Sequence, residues 1–125
     1  YDNYVFIQAR RSPAVADPTM QVVLQAGVSP GQVSGLKFIL ESHATYEIPV
    51  RIEWFNFTRN RWDIVWEGRA TRTDSVVQYA EANRAPEYVS CSNQLRARIS
   101  WFDDGVTDLS WGCAIDQAIW HVIRP

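Results

Sequence analysis

The side chains able to make or break bonds are few. His43 and His121 are the only histidines, and Cys91 and Cys113 the only cysteines. A Ser-His-Asp or Cys-His centre needs its base within hydrogen-bond reach of the nucleophile. Neither histidine stands in a nucleophile motif: His43 falls near a strand end, and His121 lies between Trp120 and Val122 in an apolar run. A glycosidase needs two carboxyls facing each other across a cleft, whereas Asp103 and Asp104 are neighbours on a turn, and their side chains diverge. No Gly-rich phosphate loop is present, and two cysteines with two histidines make a poor zinc set. These residues point to a protein that is not an enzyme.

What remains is binding chemistry. Aromatics make up 13% of the chain, with six tryptophans, and the flat C–H faces of sugars stack on exposed rings while polar neighbours take the hydroxyls. Trp66 and Trp111 are the first candidates, because rings at strand ends are left open more often than rings at strand centres. Trp66 is followed by Glu67 and Arg69, which can bond hydroxyls. Trp111 follows the turn of Asp103, Asp104 and Asp108. Trp62 and Phe102 complete the candidate set. Trp54 shares parity with Val50 and Ile52, and Trp101 with Leu95 and Ile99, so both belong to the core, as does Trp120. Phe55 and Phe57 share parity with Arg51 and Glu53 and lean outward.

Asp116 stands inside an apolar run, where an unpaired carboxylate is costly. Its partner is expected to be Arg96 or Arg98. A calcium ion, held with Asp2 and Asn3, is the alternative, although calcium takes six to eight oxygens. Apart from that ion no cofactor is expected. Cys91 and Cys113 each sit beside a turn at the start of a late strand. They are expected to form a disulfide, with two buried free thiols as the alternative.

The elements that must position these residues are strands. No long window carries a 3.6-residue apolar period with caps, whereas period-2 alternation recurs between Gly, Pro, Asn and Asp. Strands are predicted at about 3–10, 20–26, 35–42, 48–55, 62–66, 71–79, 95–101 and 110–123, with 81–87 as a loop around Pro86. The clearest feature is the hairpin in which Ile48, Val50, Ile52 and Trp54 alternate, Thr58-Arg59-Asn60-Arg61 turns, and Trp62, Ile64 and Trp66 resume the period. About eight strands with short loops predict an all-β fold, an antiparallel sandwich of jelly-roll or Greek-key type.

The 125 residues suit a single domain, spanning 1–125, and the apolar fraction of 46% supplies an ordinary core. A net charge of −2 leaves no basic excess for nucleic acid. No apolar run is long enough for a membrane helix, so membrane insertion is not expected. A chain that enters a strand pattern almost at once, without an initiator Met, reads as a piece of a longer protein, and a disulfide favours an oxidising compartment.

Four segments carry a family likeness: Leu36-Lys37-Phe38-Ile39-Leu40-Glu41-Ser42, the hairpin Ile52 to Trp62, Leu95-Arg96-Ala97-Arg98-Ile99-Ser100-Trp101, and Ile115-Asp116-Gln117-Ala118-Ile119-Trp120. Together they resemble an accessory β-sandwich domain of large secreted or cell-surface multidomain proteins of planctomycete-type bacteria. The ending is also similar to the last strand of carbohydrate-binding jelly rolls, where an Asp helps hold a structural calcium. The resemblance implies a secreted or cell-surface location, a glycan or another surface protein as partner, and no transferred binding residue. Two functions follow: an accessory carbohydrate-binding domain, or a structural spacer or assembly subunit without a small-molecule ligand. Exposed rings beside polar side chains would favour the first, and buried rings with apolar patches at an edge the second.

Overall fold

The computed structural model describes residues 5–8, 20–102 and 112–125. Eight strands follow one another: β1 (Val5–Gln8), β2 (Met20–Gly27), β3 (Gly35–Ala44), β4 (Pro49–Asn56), β5 (Arg61–Arg69), β6 (Ser75–Glu81), β7 (Gln94–Trp101) and β8 (Gly112–Ile123). They form two antiparallel sheets, ordered β1-β8-β3-β6 and β2-β7-β4-β5. Successive strands mostly alternate between the sheets, and the resulting order is that of a jelly roll. The only helical turn among the described residues is a 3-10 turn at Ala85–Tyr88, inside the segment expected to be a loop. Pro86 fixes its backbone for such a turn and has no N–H to leave unpaired. No helix among the described residues is long and apolar enough to cross a membrane.

Alternation selects the inward side chains. Leu36, Phe38 and Leu40 of β3, Val50, Ile52 and Trp54 of β4, and Leu95, Ala97, Ile99 and Trp101 of β7 are all buried between the sheets. Each large apolar side chain buried this way contributes about 1.5–3 kcal/mol. Trp54 is the centre of an aromatic cluster, with ring centroids 5.0 Å from Tyr79, 5.3 Å from Tyr88 and 4.8 Å from Trp120. The core assignments of Trp54 and Trp101 hold, and Trp120 is half-buried against the same cluster.

Two irregularities decide where polar side chains point. Glu41 pairs with Gln117 but Ser42 pairs with Ile115, so Asp116 is the extra residue of a β-bulge in β8. The bulge resets parity, which is why Ile115 before it and Trp120 and Val122 after it all pack against the core, and why a carboxylate can leave an apolar strand. A second shift, between Ile52 and Glu53, leaves Val65 of β5 as the extra residue.

One end of the sandwich is closed by a polar network. The Asp63 carboxylate accepts hydrogen bonds from Asn56 Nδ2 (3.1 Å), Arg84 (3.0 Å) and the Tyr88 hydroxyl (2.9 Å). Burial opposes the Asp63 charge, but the hydrogen bonds from Asn56, Tyr88 and Arg61 outweigh it and hold the carboxyl below its ordinary range. Burial and donation to Asp63 push the Tyr88 phenol up to about 12.

The expected disulfide is absent: Cys91 is an exposed free thiol and Cys113 a buried one. The reason is chain direction. Cys113 opposite Ala44 lies beside Met20, its sulfur 3.3 Å from the Met20 sulfur, and Met20 pairs with Trp101 at the far end of β7. Cys91 precedes the opposite end of β7, whose eight residues span roughly 26 Å at about 3.3 Å each. Burial alone pushes the Cys113 thiol up to about 12.

Candidate functional site

The outward side chains of the β2-β7-β4-β5 sheet fall into three rows. In the middle row Val23, Arg98, Glu53 and Ile64 lie side by side across the four strands. Arg98 meets Glu53 as a two-pronged pair, its Nε 3.0 Å and its Nη2 2.9 Å from the two carboxylate oxygens. Glu53 is only 6% exposed although it points away from the core. A carboxylate this covered is tolerable because its fork-shaped partner satisfies both oxygens.

The second row is polar. Gln21 donates to the Ser100 hydroxyl (2.9 Å), and Arg51 lies 3.5 Å from Glu67. The Arg51 guanidinium also rests over the Phe102 ring, 5.0 Å from its centroid.

The third row is aromatic. Phe55 stands opposite Trp62, with centroids 5.2 Å apart and planes at 79°, and Phe57 meets Phe55 at 4.9 Å and 69°. All three rings are half-exposed. Arg98 continues from Glu53 to lie 4.3 Å from the Trp62 centroid, and Arg96 lies 5.6 Å from both phenyl rings. The rows together form an aromatic ledge with fixed guanidinium groups along it. Such a surface can stack flat apolar faces and donate hydrogen bonds to oxygens.

The residues singled out from the sequence divide between two places. Trp62, Phe102 and Glu67 belong to this face. Trp66 turns inward, half-buried, and with Arg69 lines a slot of about 220 Å3 between β5 and β6, floored by Leu40, Val50 and Val77. Its ring lies so close to Gly68 that a Cβ there would meet it at 2.5 Å. Arg69 donates to the Glu47 carbonyl. Trp111, Asp2 and Asn3 lie outside the described residues.

Alternation places Phe55 and Phe57 outward, and the structure joins them to Trp62. Their shared parity across the hairpin was the available signal. The expected pairing of Asp116 with Arg96 or Arg98 does not occur: both arginines leave the opposite sheet, on the opposite face of the sandwich. Asp116 lies instead with Glu41 and Asp74, their ligating oxygens within 4.8 Å of one another. Three carboxylates are hard donors of the kind calcium takes, but fewer than its usual six to eight. Asp116 Oδ1 is buried without a hydrogen-bond partner. Contact with Asp116, then burial, raises the Glu41 carboxyl above its ordinary range. Asp74 also meets His43 Nδ1 at 2.6 Å.

No family model and no curated protein matches the chain. Among solved structures, a chain described as "CBM4 structure and function", CBM denoting a carbohydrate-binding module, is similar in fold. Its TM-score is 0.65 at 9% identity, over 98% of this chain and 73% of that one.

Proposed function

We propose that this chain is a non-catalytic domain that binds a carbohydrate chain on the outer face of the β2-β7-β4-β5 sheet. The observation that carries the reading is the ledge of Trp62, Phe55 and Phe57, half-exposed, braced by one another and flanked by Arg96 and Arg98. Free-standing surface rings would be mobile. These are held by ring contacts and cation–π contacts, so little side-chain entropy is lost when a sugar stacks on them. Glu67 and Gln21 offer hydroxyl partners in the next row. The fold shared with a carbohydrate-binding module supports the reading at the level of architecture.

An aromatic stack plus two or three hydrogen bonds, each worth about 1 kcal/mol net, gives affinity in the micromolar to millimolar range. Such a domain works by multivalency within a larger secreted or cell-surface protein. The slot at Trp66 and Arg69 lies round the edge of the same sandwich, where it can receive a side branch.

Affinity electrophoresis against a panel of soluble polysaccharides tests the proposal. Retardation by at least one polymer, abolished by Trp62→Ala and weakened by Phe55→Ala in folded protein, is the expected result. If no polymer retards the wild type at millimolar sugar, the reading fails and a structural spacer or assembly subunit becomes the better account. The exposed Val23 and Ile64 on this same face would then serve a protein contact.

A further inference from the structure

We propose that this face selects acidic saccharides, and that Arg96 is the residue that reads their carboxylate. The inference rests on the carbohydrate reading above and adds the chemical class of the sugar. Of the arginines on the face, Arg98 is matched by Glu53, and Arg51 by Glu67. Beyond the ledge, Arg59 lies 3.6 Å from Glu87. Arg96 has no carboxylate within ion-pair distance among the described residues. Its contacts are the rings of Phe55 and Phe57. The residue opposite it on β2 is Gln25, whose amide is already bonded to Gln94 at 2.7 Å.

Among the described residues the result is an unmatched cation beside charge-paired neighbours. Two phenyl rings cover part of its hydration shell and fix its plane without neutralising it. A planar guanidinium held this way is complementary to a planar carboxylate, which it can engage through two parallel N–H···O bonds. It stands beside the rings on which a pyranose would stack. A uronate residue stacked on Phe55 would therefore bring its carboxylate to Arg96, whereas a neutral hexose offers only a hydroxyl there.

The test compares polygalacturonate and glucuronoxylan with the same polymers after chemical reduction of their carboxyls, by calorimetry on the whole domain. The expected result is binding of an acidic form tighter than its reduced counterpart by about tenfold or more, with the ratio falling as salt rises. Arg96→Gln, checked for folding by circular dichroism, should bring the ratio to within about twofold, and Arg96→Lys should restore only part of it. Reduced polymers binding as well as acidic ones, or a ratio that survives Arg96→Gln, would overturn the inference and leave the carbohydrate reading standing. Failure of every acidic and neutral polymer to bind would overturn both.

Discussion

On the outer face of the β2-β7-β4-β5 sheet, Glu53 lies against Arg98 and Glu67 against Arg51, so that of the charged side chains on β4 and β7 only Arg96 lacks an opposite charge among the described residues. On the outer face of the other sheet the register does the reverse. The bulge at Asp116 sets that carboxylate beside Glu41 and Asp74, three like charges together. Both faces arise from the same period-2 alternation. Alternation decides only which side chains leave the core. The residue opposite, set by register and bulges, decides whether an outward charge is matched. One face is a surface of fixed, compensated groups with aromatic rings, suited to holding a ligand. The other gathers three carboxylates, with the His43 ring against Asp74.

The difference can be broken from either side. Among the charged and polar groups the largest effect is expected for Glu53→Ala, which leaves Arg98 without its partner under partial burial and should destabilise by about 3 kcal/mol. Urea denaturation measures it, and a loss below about 1 kcal/mol would show the pair to be a solvated surface bridge instead.

Asp63→Asn comes next. The wild-type carboxyl is held below its ordinary range, so its contribution is complete above the unfolded value and fades as pH falls through the folded one. The variant should lose about 1–2 kcal/mol at pH 7 and lose the difference from wild type at acid pH. Melting curves between about pH 2 and 7 follow it. Trp62→Ala should cost less stability, about 1 kcal/mol or less for a half-exposed ring. Trp54→Ala, at the centre of the core, should cost about 3–5 kcal/mol. Differential scanning calorimetry of the two variants separates ledge from core.

The smallest effect has the opposite sign. The Glu41 carboxyl is raised, so the stability it gives is present below its unfolded value and lost as pH rises through the folded one. At neutral pH Glu41→Gln should therefore raise the melting temperature slightly, with the gain vanishing in acid. A fall in melting temperature that appears only with added calcium would mean that the three carboxylates hold the ion.

Much of this was legible in the sequence. The hairpin of β4 and β5 announces itself through Val50, Ile52 and Trp54, and Leu95 to Trp101 predicts β7 with Arg96 and Arg98 outward, because strand period and burial coincide there. Features that depend on non-local geometry were not legible. Asp116 looks like a core charge in need of an arginine until the bulge turns it to the outer face of the other sheet, beside Glu41 and Asp74. Cys91 precedes β7 and Cys113 lies at the start of β8, but consecutive strands run in opposite directions, so the two starts lie at opposite ends of the sandwich. Trp66 reads as an exposed strand-end ring, yet its position opposite Ile52 turns it inward over Gly68. The 3-10 turn at Ala85–Tyr88 is stabilised by Asp63 and Asn56 from the distant hairpin, which no local pattern reveals.

The proposed ligand site is the ledge on the β2-β7-β4-β5 face. Heteronuclear NMR of the labelled domain, titrated with whichever oligosaccharide binds in electrophoresis, tests it most directly through the six tryptophan indole resonances. Binding at the ledge should shift the Trp62 indole and the backbone amides of Phe55, Phe57 and Arg96 together, saturating with a single affinity, while the buried Trp54 and Trp101 indoles stay in place. Saturating shifts confined to Trp66 and the amides of β6, or to Glu41, His43 and Asp116 on the opposite sheet, with Trp62 unmoved, would contradict it.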